Sequence, residues 1–264
     1  MVLALSVFII ARDEADRIGD AIASVIDIAE EVIVVDSGST DATVAVARAA
    51  GARVIHHDFE GFGPQKRFAE TQCRNHWLLN IDADEPLTHE AREEIRMLVS
   101  SGRLADFDCW RIPIRTVYPH EDKPAAWAFT YNQIRLYDRE RAGFAASTVH
   151  DSVLPEPGAR IGQIEGAIAH RSHRSINFQV EKFNRYAEMQ VDDMIARGRR
   201  LSRLRLVTEF PVAFLKAYFI RRQCLYGLWG FSLAISYAYS RFLRIAKFHE
   251  TELKRQAAEK RAKS

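Results

Sequence analysis

The chain has 264 residues, 47% of them hydrophobic, with 37 Lys/Arg against 35 Asp/Glu and a net charge of +2. That is enough chain to bury a sizeable core, as one large domain with an appendage. The three cysteines, Cys73, Cys109 and Cys224, are odd in number and unpaired in spacing, which excludes a disulfide framework and fits a reducing cytoplasm.

Residues 3–10 form an apolar run with no basic n-region and no cleavage site, so they read as a strand and not as a secretory leader. Ala11-Arg12-Asp13-Glu14-Ala15 follows, then a helical pattern with Ile18, Ile22 and Val25/Ile26 on one face. A second apolar strand over 32–35 ends in Asp36 and runs into Ser37-Gly38-Ser39-Thr40-Asp41-Ala42-Thr43. A helix then reaches Ala50 and stops at Gly51, and residues 53–55 make a short third strand. Strands alternating with helices imply an α/β fold with a parallel sheet covered on both faces. Residues 77–81 are a further strand, which delivers Asp82-Ala83-Asp84 to the same sheet edge as Asp36.

The C-terminal edge of such a sheet is where ligands bind. Two carboxylates one residue apart offer hard oxygen ligands to Mg²⁺ or Mn²⁺; the plainer alternative is that Asp82 caps a turn and Asp84-Glu85-Pro86 opens the next helix. Asp36 suits a ribose or a base N–H, or else is an ordinary N-cap. Ser37 to Thr40 supply donors at a helix N-terminus, suited to phosphate or a polar ring. The first β–α turn, Arg12-Asp13-Glu14-Ala15, lacks G-x-G-x-x-G, and no Walker loop occurs, which argues against dinucleotide binding and a P-loop. His56-His57 is discounted as a metal pair because neighbours on a strand face opposite ways.

The strand followed by Asp13-Glu14, then Val34-Val35-Asp36-Ser37-Gly38-Ser39-Thr40-Asp41, Gly61-Phe62-Gly63-Pro64-Gln65-Lys66 and Ile81-Asp82-Ala83-Asp84-Glu85 occur in that order. Together they resemble the inverting family 2 glycosyltransferases, and most nearly the bacterial lipopolysaccharide core subgroup that includes β-1,4-glucosyltransferases. The similarity continues through Val149-His150-Asp151 and His170-Arg171-Ser172-His173 to about residue 248. The resemblance implies a GT-A fold, Rossmann-like with a mostly parallel sheet. It implies that Asp13, Glu14 and Asp36, with Ser37 beside them, border the uracil and ribose of a UDP-sugar. Lys66 would reach the diphosphate or Asp36, or is simply solvated. Asp82 would contact the ribose or donor sugar, and Asp84 would ligate the metal. Glu85 supports the site or caps a helix. His170, after the apolar 167–169, is a metal or phosphate ligand, or a histidine hydrogen-bonded near the site.

Inverting transfer needs a base opposite the leaving group. Asp151 is the candidate, with His150 assisting, although the subgroup usually shows Val-His-Glu where this chain has Val149-His150-Asp151; a structural His–Asp pair at a turn is the alternative. The subgroup also tends to show Trp, then Pro-Asp, before Arg-Leu-Phe. Here Trp127 and Arg135-Leu136-Tyr137 are present without that aspartate, so acceptor contacts are expected to differ. Trp127 stacks on a sugar or packs in the core.

The charge is uneven. Residues 197–264 hold 16 Lys/Arg and 4 Asp/Glu, a net of +12, whereas residues 1–196 hold 21 and 31, a net of −10. This division sets the expected GT-A domain, 1–196, apart from a helical, basic and aromatic extension, 197–264, suited to an anionic membrane surface. The uncharged stretch 223–240 has 18 residues, at the lower limit for a span, and its glycines, serines and tyrosines favour lying in the interface. No nucleic-acid motif accompanies the basic surface, so nucleic acid is not expected as a partner. The whole reads as a metal-assisted, inverting transfer of a sugar, glucose by resemblance, from a UDP-sugar to a hydroxyl of the lipid-linked lipopolysaccharide inner core, on the cytoplasmic face of the inner membrane. The alternatives are sugar transfer to a polyprenyl phosphate, which needs no strong base, and a silent sugar-nucleotide-binding or membrane scaffold protein. An Asp-x-Asp phosphatase is disfavoured by Pro86.

Overall fold

A computed structural model of the chain describes residues 4–118, 121–125, 127–145 and 152–262. These divide into two compact units, residues 1–126 with 130–172, and residues 127–129 with 173–264.

The first unit opens with β1 (Leu5–Ala11), α1 (Ile18–Ala23), β2 (Glu31–Asp36), α2 (Thr43–Ala49), β3 (Arg53–His56), α3 (Phe62–Gln72), β4 (Trp77–Asn80) and α4 (His89–Ser101). It continues through β5 (Cys109–Thr116), β6 (Thr130–Asp138), β7 (Ala142–Phe144), β8 (Val153–Pro155), β9 (Ile161–Gln163) and β10 (Ile168–His170). The main sheet runs β10-β5-β6-β4-β1-β2-β3, with β9 added on β5, and β7 pairs β8 in a separate hairpin. Only β6 runs against its neighbours β4 and β5; the other pairings of the main sheet are parallel. The mostly parallel α/β sheet expected from the sequence is therefore present.

β1 and β2 read as continuous apolar runs because both faces of a parallel sheet are covered. One face packs on Ile18, Ile22, Ala47, Ala91 and Ile95 from α1, α2 and α4. On the other, Phe8, Ile33, Val35 and Leu78 meet Ala69 of α3 and Phe144 and Val153 of the hairpin. Half-buried Glu70 ties that hairpin to α3, accepting from Tyr137 Oη at 2.7 Å and from the Phe144 amide at 3.0 Å.

Three local features aim the sheet edge. β4 ends at Asn80, paired with Phe8, while β1 continues to Ala11 beside Asp36, so Ile81 to Asp84 leave the sheet in a notch. On β6, Leu136 pairs Trp110 and Ile134 pairs Arg111, which leaves Arg135 as the extra residue of a β-bulge. Bulges of this kind re-aim a side chain. Gly166, just before β10, lies so close to α4 that an added Cβ would sit 2.3 Å from the Ala91 backbone, so the strand carrying His170 reaches the site only because this residue has no side chain.

The second unit holds α5 (Ile176–Ala196), α6 (Arg205–Leu215) and α7 (Gly227–Ala262), with a wide π-helical turn over Lys216–Ile220 and a tight 3₁₀ turn over Gln223–Tyr226 between the last two. The change of charge at residue 197 falls at the C-terminus of α5. Small side chains, Ala213, Ala217, Ala234 and Ala238, are buried here with Leu233, Ile245 and Phe248. No helix among the described residues is long and apolar enough to cross a membrane.

Candidate active site

The loops after β1 and β2 are stitched together by side chains. Asp36 is 4% exposed. Its carboxylate accepts from the Gly38 and Ser39 amides, both at 3.0 Å, and from the Ser39 hydroxyl. Asp13 Oδ1 accepts from the Thr40 amide at 2.8 Å, while the Asp13 amide donates to Ser39 Oγ at 2.9 Å. The Glu14 amide donates to Thr43 Oγ1 at 2.7 Å and the Ala15 amide to Asp41 Oδ2 at 3.1 Å. Asp13 takes a left-handed conformation, φ 55°, which a short side chain bonded to nearby backbone tolerates. Ser37 Oγ accepts from Gln65 Nε2 at 2.9 Å, and buried Gln65 also holds His57. Asp13, Glu14, Asp36 and Ser37 therefore lie in one corner of the edge, over the ends of β1 and β2.

A second corner forms where β4 ends. Lys66 projects from α3, is fully buried, and places Nζ 2.8 Å from Asp82 Oδ1 and 5.1 Å from the Phe144 ring centre. Its partner is thus Asp82, and the solvated alternative does not apply. Arg135 donates to Asn80 Oδ1 at 2.6 Å, lies 2.8 Å from Glu85 Oε2 and 3.6 Å from Asp82 Oδ2. Glu85, 1% exposed, also accepts from the Asp82 amide at 3.1 Å. It braces the loop.

Asp84 faces two basic groups, His170 Nε2 at 3.5 Å and Arg17 Nη1 at 3.7 Å. Arg17 also donates to the Arg171 carbonyl at 2.8 Å, and Tyr131 Oη lies 3.4 Å from His170 Nδ1. The Arg171 amide donates to the Asp84 carbonyl at 2.9 Å, so β10 and the Asp82–Asp84 loop are joined through backbone as well.

The electrostatics follow from these pairs. Burial opposes ionisation of Asp82, but Lys66 and Arg135 outweigh it and hold the carboxyl well below the usual carboxylate range. Burial dominates at Glu85 and raises it, with Arg135 opposing and the Asp82 charge adding to the rise. At His170 burial disfavours the imidazolium, yet the hydrogen bond to Asp84 and the charges of Asp84, Glu85 and Asp82 raise it above the ordinary histidine value.

Asp84 and His170 converge as one hard oxygen and one borderline nitrogen donor, the two residues that could hold a Mg²⁺ or Mn²⁺ ion at this corner. A separate group, His76 with Asp138 and Glu140, brings ligand atoms within 4.8 Å of one another among the described residues. It lies at the start of β4 and end of β6, the sheet edge away from Asp36 and Asp82. His150 and Asp151 lie outside the described residues.

The glycosyl transferase family 2 profile matches residues 6–148. The chain is a family 2 glycosyltransferase. It is 41% identical to an uncharacterized glycosyltransferase of Rickettsia prowazekii, over 96% of this chain and 89% of that one. It is 31% identical to the lipopolysaccharide core biosynthesis glycosyltransferase LpsC of Rhizobium meliloti, over 94% and 93%. Among solved structures it resembles glucosyl-3-phosphoglycerate synthase of Mycobacterium tuberculosis, determined with Mn²⁺, UDP and glucosyl-3-phosphoglycerate, at a TM-score of 0.45 and 19% identity over 76% of this chain and 82% of that one.

Sequence reasoning on this glycosyltransferase named the carboxylates, Lys66 and His170 but gave no role to Arg17, Asn80, Tyr131 or Arg135. One signal was available for Arg135: an arginine amid Gln133-Ile134-Arg135-Leu136-Tyr137, flanked by core-forming residues, requires a buried anion. Arg17 gives no such signal, since an arginine opening a helix is ordinarily solvated.

Proposed function

We propose that this glycosyltransferase transfers glucose from UDP-glucose to a sugar hydroxyl of the lipopolysaccharide inner core, with inversion at the anomeric carbon and with Mg²⁺ or Mn²⁺. The observation that carries the reading is the identity to LpsC, whose name assigns it to lipopolysaccharide core biosynthesis, across 94% of the chain. Asp13, Glu14, Asp36 and Ser37 receive the uracil and ribose, at the corner their side-chain hydrogen bonds shape over the ends of β1 and β2. Asp82, held ionised by Lys66 and Arg135, accepts from hydroxyls of the ribose or donor sugar. Asp84 and His170 hold the metal, and their spacing supports that assignment.

Bound there, the metal would supply Lewis-acid stabilisation of the negative charge growing on the departing diphosphate. Lys66 is the buried cation nearest Asp82 and adds positive potential on the same side. On the opposite side of the anomeric carbon, Asp151, oriented by His150, removes the acceptor hydroxyl proton as the new glycosidic bond forms and the bond to UDP breaks.

The extension 197–264 is read as the membrane-associating part. Leu204, Val207, Val212, Ile220 and Leu228 are between 63% and 87% exposed. The acidic residue of that stretch ahead of Glu250, Glu209, is held by Arg205 and Arg241, which leaves excess positive charge beside an apolar surface. This supports attachment to the cytoplasmic face of the inner membrane.

The decisive experiment is calorimetric titration of UDP-glucose, UDP-galactose, UDP-N-acetylglucosamine and GDP-mannose with Mn²⁺, with Mg²⁺ and with chelator, followed by transfer assays on inner-core acceptors. Metal-dependent binding of UDP-glucose and its transfer to a core sugar support the reading. Transfer to a polyprenyl phosphate instead, or binding without turnover on any acceptor, overturns it.

A further inference from the structure

A cavity of about 300 Å³ opens in the first unit between the β5–β6 ladder and the β7–β8 hairpin. Arg111, Asn132, Gln133, Arg135, Phe144 and Ser152 contribute to its lining, and among the described residues no acidic one does. Its two arginines differ. Arg135 is committed to Asn80, Glu85 and Asp82. Arg111 is exposed, and no carboxylate among the described residues pairs with its guanidinium. Its backbone carbonyl is held by Ile164 and Gln163, so the strand position is fixed while the side chain is uncommitted. Asn132 is fixed in turn, donating to Gln163 Oε1 at 2.7 Å.

The cavity adjoins the reaction centre through shared residues. Arg135 is both a wall residue and 3.6 Å from Asp82. Phe144, on the hairpin wall, carries the Lys66 ammonium that pairs with Asp82. In sequence, Ser152 directly follows the candidate base Asp151. A pocket of this volume, at the lower end of ligand sites, suits a substituted sugar ring better than an extended chain. An uncommitted guanidinium with amides beside it and no carboxylate suits neither a cation nor an apolar group. Its planar fork matches a carboxylate or a phosphate. The donor's own diphosphate charge belongs at the Asp84 corner, so a second anion belongs to the acceptor.

We propose that this cavity is the acceptor subsite and that it takes an anionic sugar, one bearing a carboxylate or a phosphate, with Arg111 as the specificity-determining residue. The proposal rests on the reading of a saccharide acceptor given above. Three probes test it: a deacylated inner-core oligosaccharide with its acidic groups intact, the same after carboxyl reduction, and the same after dephosphorylation. Arg111→Gln raises the acceptor KM about tenfold, the worth of one charge-assisted contact, while kcat and the UDP-glucose Kd stay within about twofold. Arg111→Lys restores part of the loss. Whichever neutralised probe behaves with the unmodified enzyme as the intact one does with Arg111→Gln identifies the anion. An unchanged acceptor KM, or a loss confined to donor binding, overturns the proposal. Should the unmodified enzyme transfer to none of the three, the core-acceptor reading fails, and direct titration of the intact oligosaccharide decides the subsite separately. Binding lost in Arg111→Gln sustains it, and no binding to the unmodified enzyme ends it.

Discussion

The two corners of the sheet edge use the same residue type in opposite ways. At the ends of β1 and β2, Asp13 and Asp36 spend their carboxylates on backbone amides and hydroxyls of the adjoining loops. At the end of β4, Asp82 and Asp84 face Lys66, Arg135, Arg17 and His170, basic groups delivered by four different elements or loops. The first corner is self-sufficient and sets a shape. The second is a balance of charges held in place by the whole unit, and its free energy changes when a charged ligand arrives.

The largest contrast is expected in catalysis. Asp84→Asn should lower turnover at least about a thousandfold, ~4 kcal/mol, because a carboxylate that holds a charge in the transition state is replaced by an amide of the same shape. Metal-dependent binding of UDP-glucose should weaken with it in the titration. Full activity in this variant would remove Asp84 from the site.

Next comes stability at the charged corner. Arg135→Met leaves buried Glu85, with half-buried Asp82 beside it, one cation short, and removal of one partner from a buried pair costs about 3–5 kcal/mol. Denaturant unfolding should show that loss, and Arg135→Met with Glu85→Gln should recover part of it. A double variant no more stable than the single one would break the claim that this corner is a charge balance.

At the self-sufficient corner the effect is smaller. Asp36→Asn keeps one acceptor oxygen for the loop amides and should cost about 1–2 kcal/mol in unfolding experiments. Any additional loss in UDP-glucose affinity measures what Asp36 does beyond shaping the loop.

The smallest effect tests a charge cluster of the second unit. Burial opposes ionisation of Glu209, but its hydrogen bonds and charge pairing with Arg205 and Arg241 keep the carboxyl below its ordinary value. A carboxyl lower in the folded than in the unfolded chain contributes stability above the unfolded pKa and loses it as pH falls through the folded value. Glu209→Gln should therefore lower Tm by a few degrees at pH 7 and flatten its decline below about pH 4.5, the ordinary glutamate value. Parallel acid profiles for the two proteins would contradict this.

β1, β2 and β4 were legible because parallel strands buried on both faces appear as apolar runs, and β3, a partly exposed edge strand, follows from Gly51 closing α2. The sheet beyond α4 was not, apart from the apolar 167–169 that leads into His170 on β10. Pro113 and two arginines interrupt the pattern of β5, and β7 to β10 are three residues each, too short for a period to show. The candidate site divides in the same way. Its carboxylates follow from strand ends, whereas Arg17 and Asn80 acquire their partners from elements distant in sequence, 154 residues apart for Arg17 and Arg171. Such partnerships exist only once the sheet order is known.

The bulge at Arg135 separates two things that a regular strand would couple. Leu136 opposite Trp110 and Ile134 opposite Arg111 would remain partners if residue 135 were excised, because it occupies no rung of its own. The arginine is therefore removable cargo: a single-codon deletion would leave every cross-strand register of β6 intact while erasing the charge on which Glu85 and Asp82 depend. Chemistry at this edge can be lost or regained by insertion and deletion without a change of strand register, the cost falling on the carboxylates left unpaired and not on the ladder.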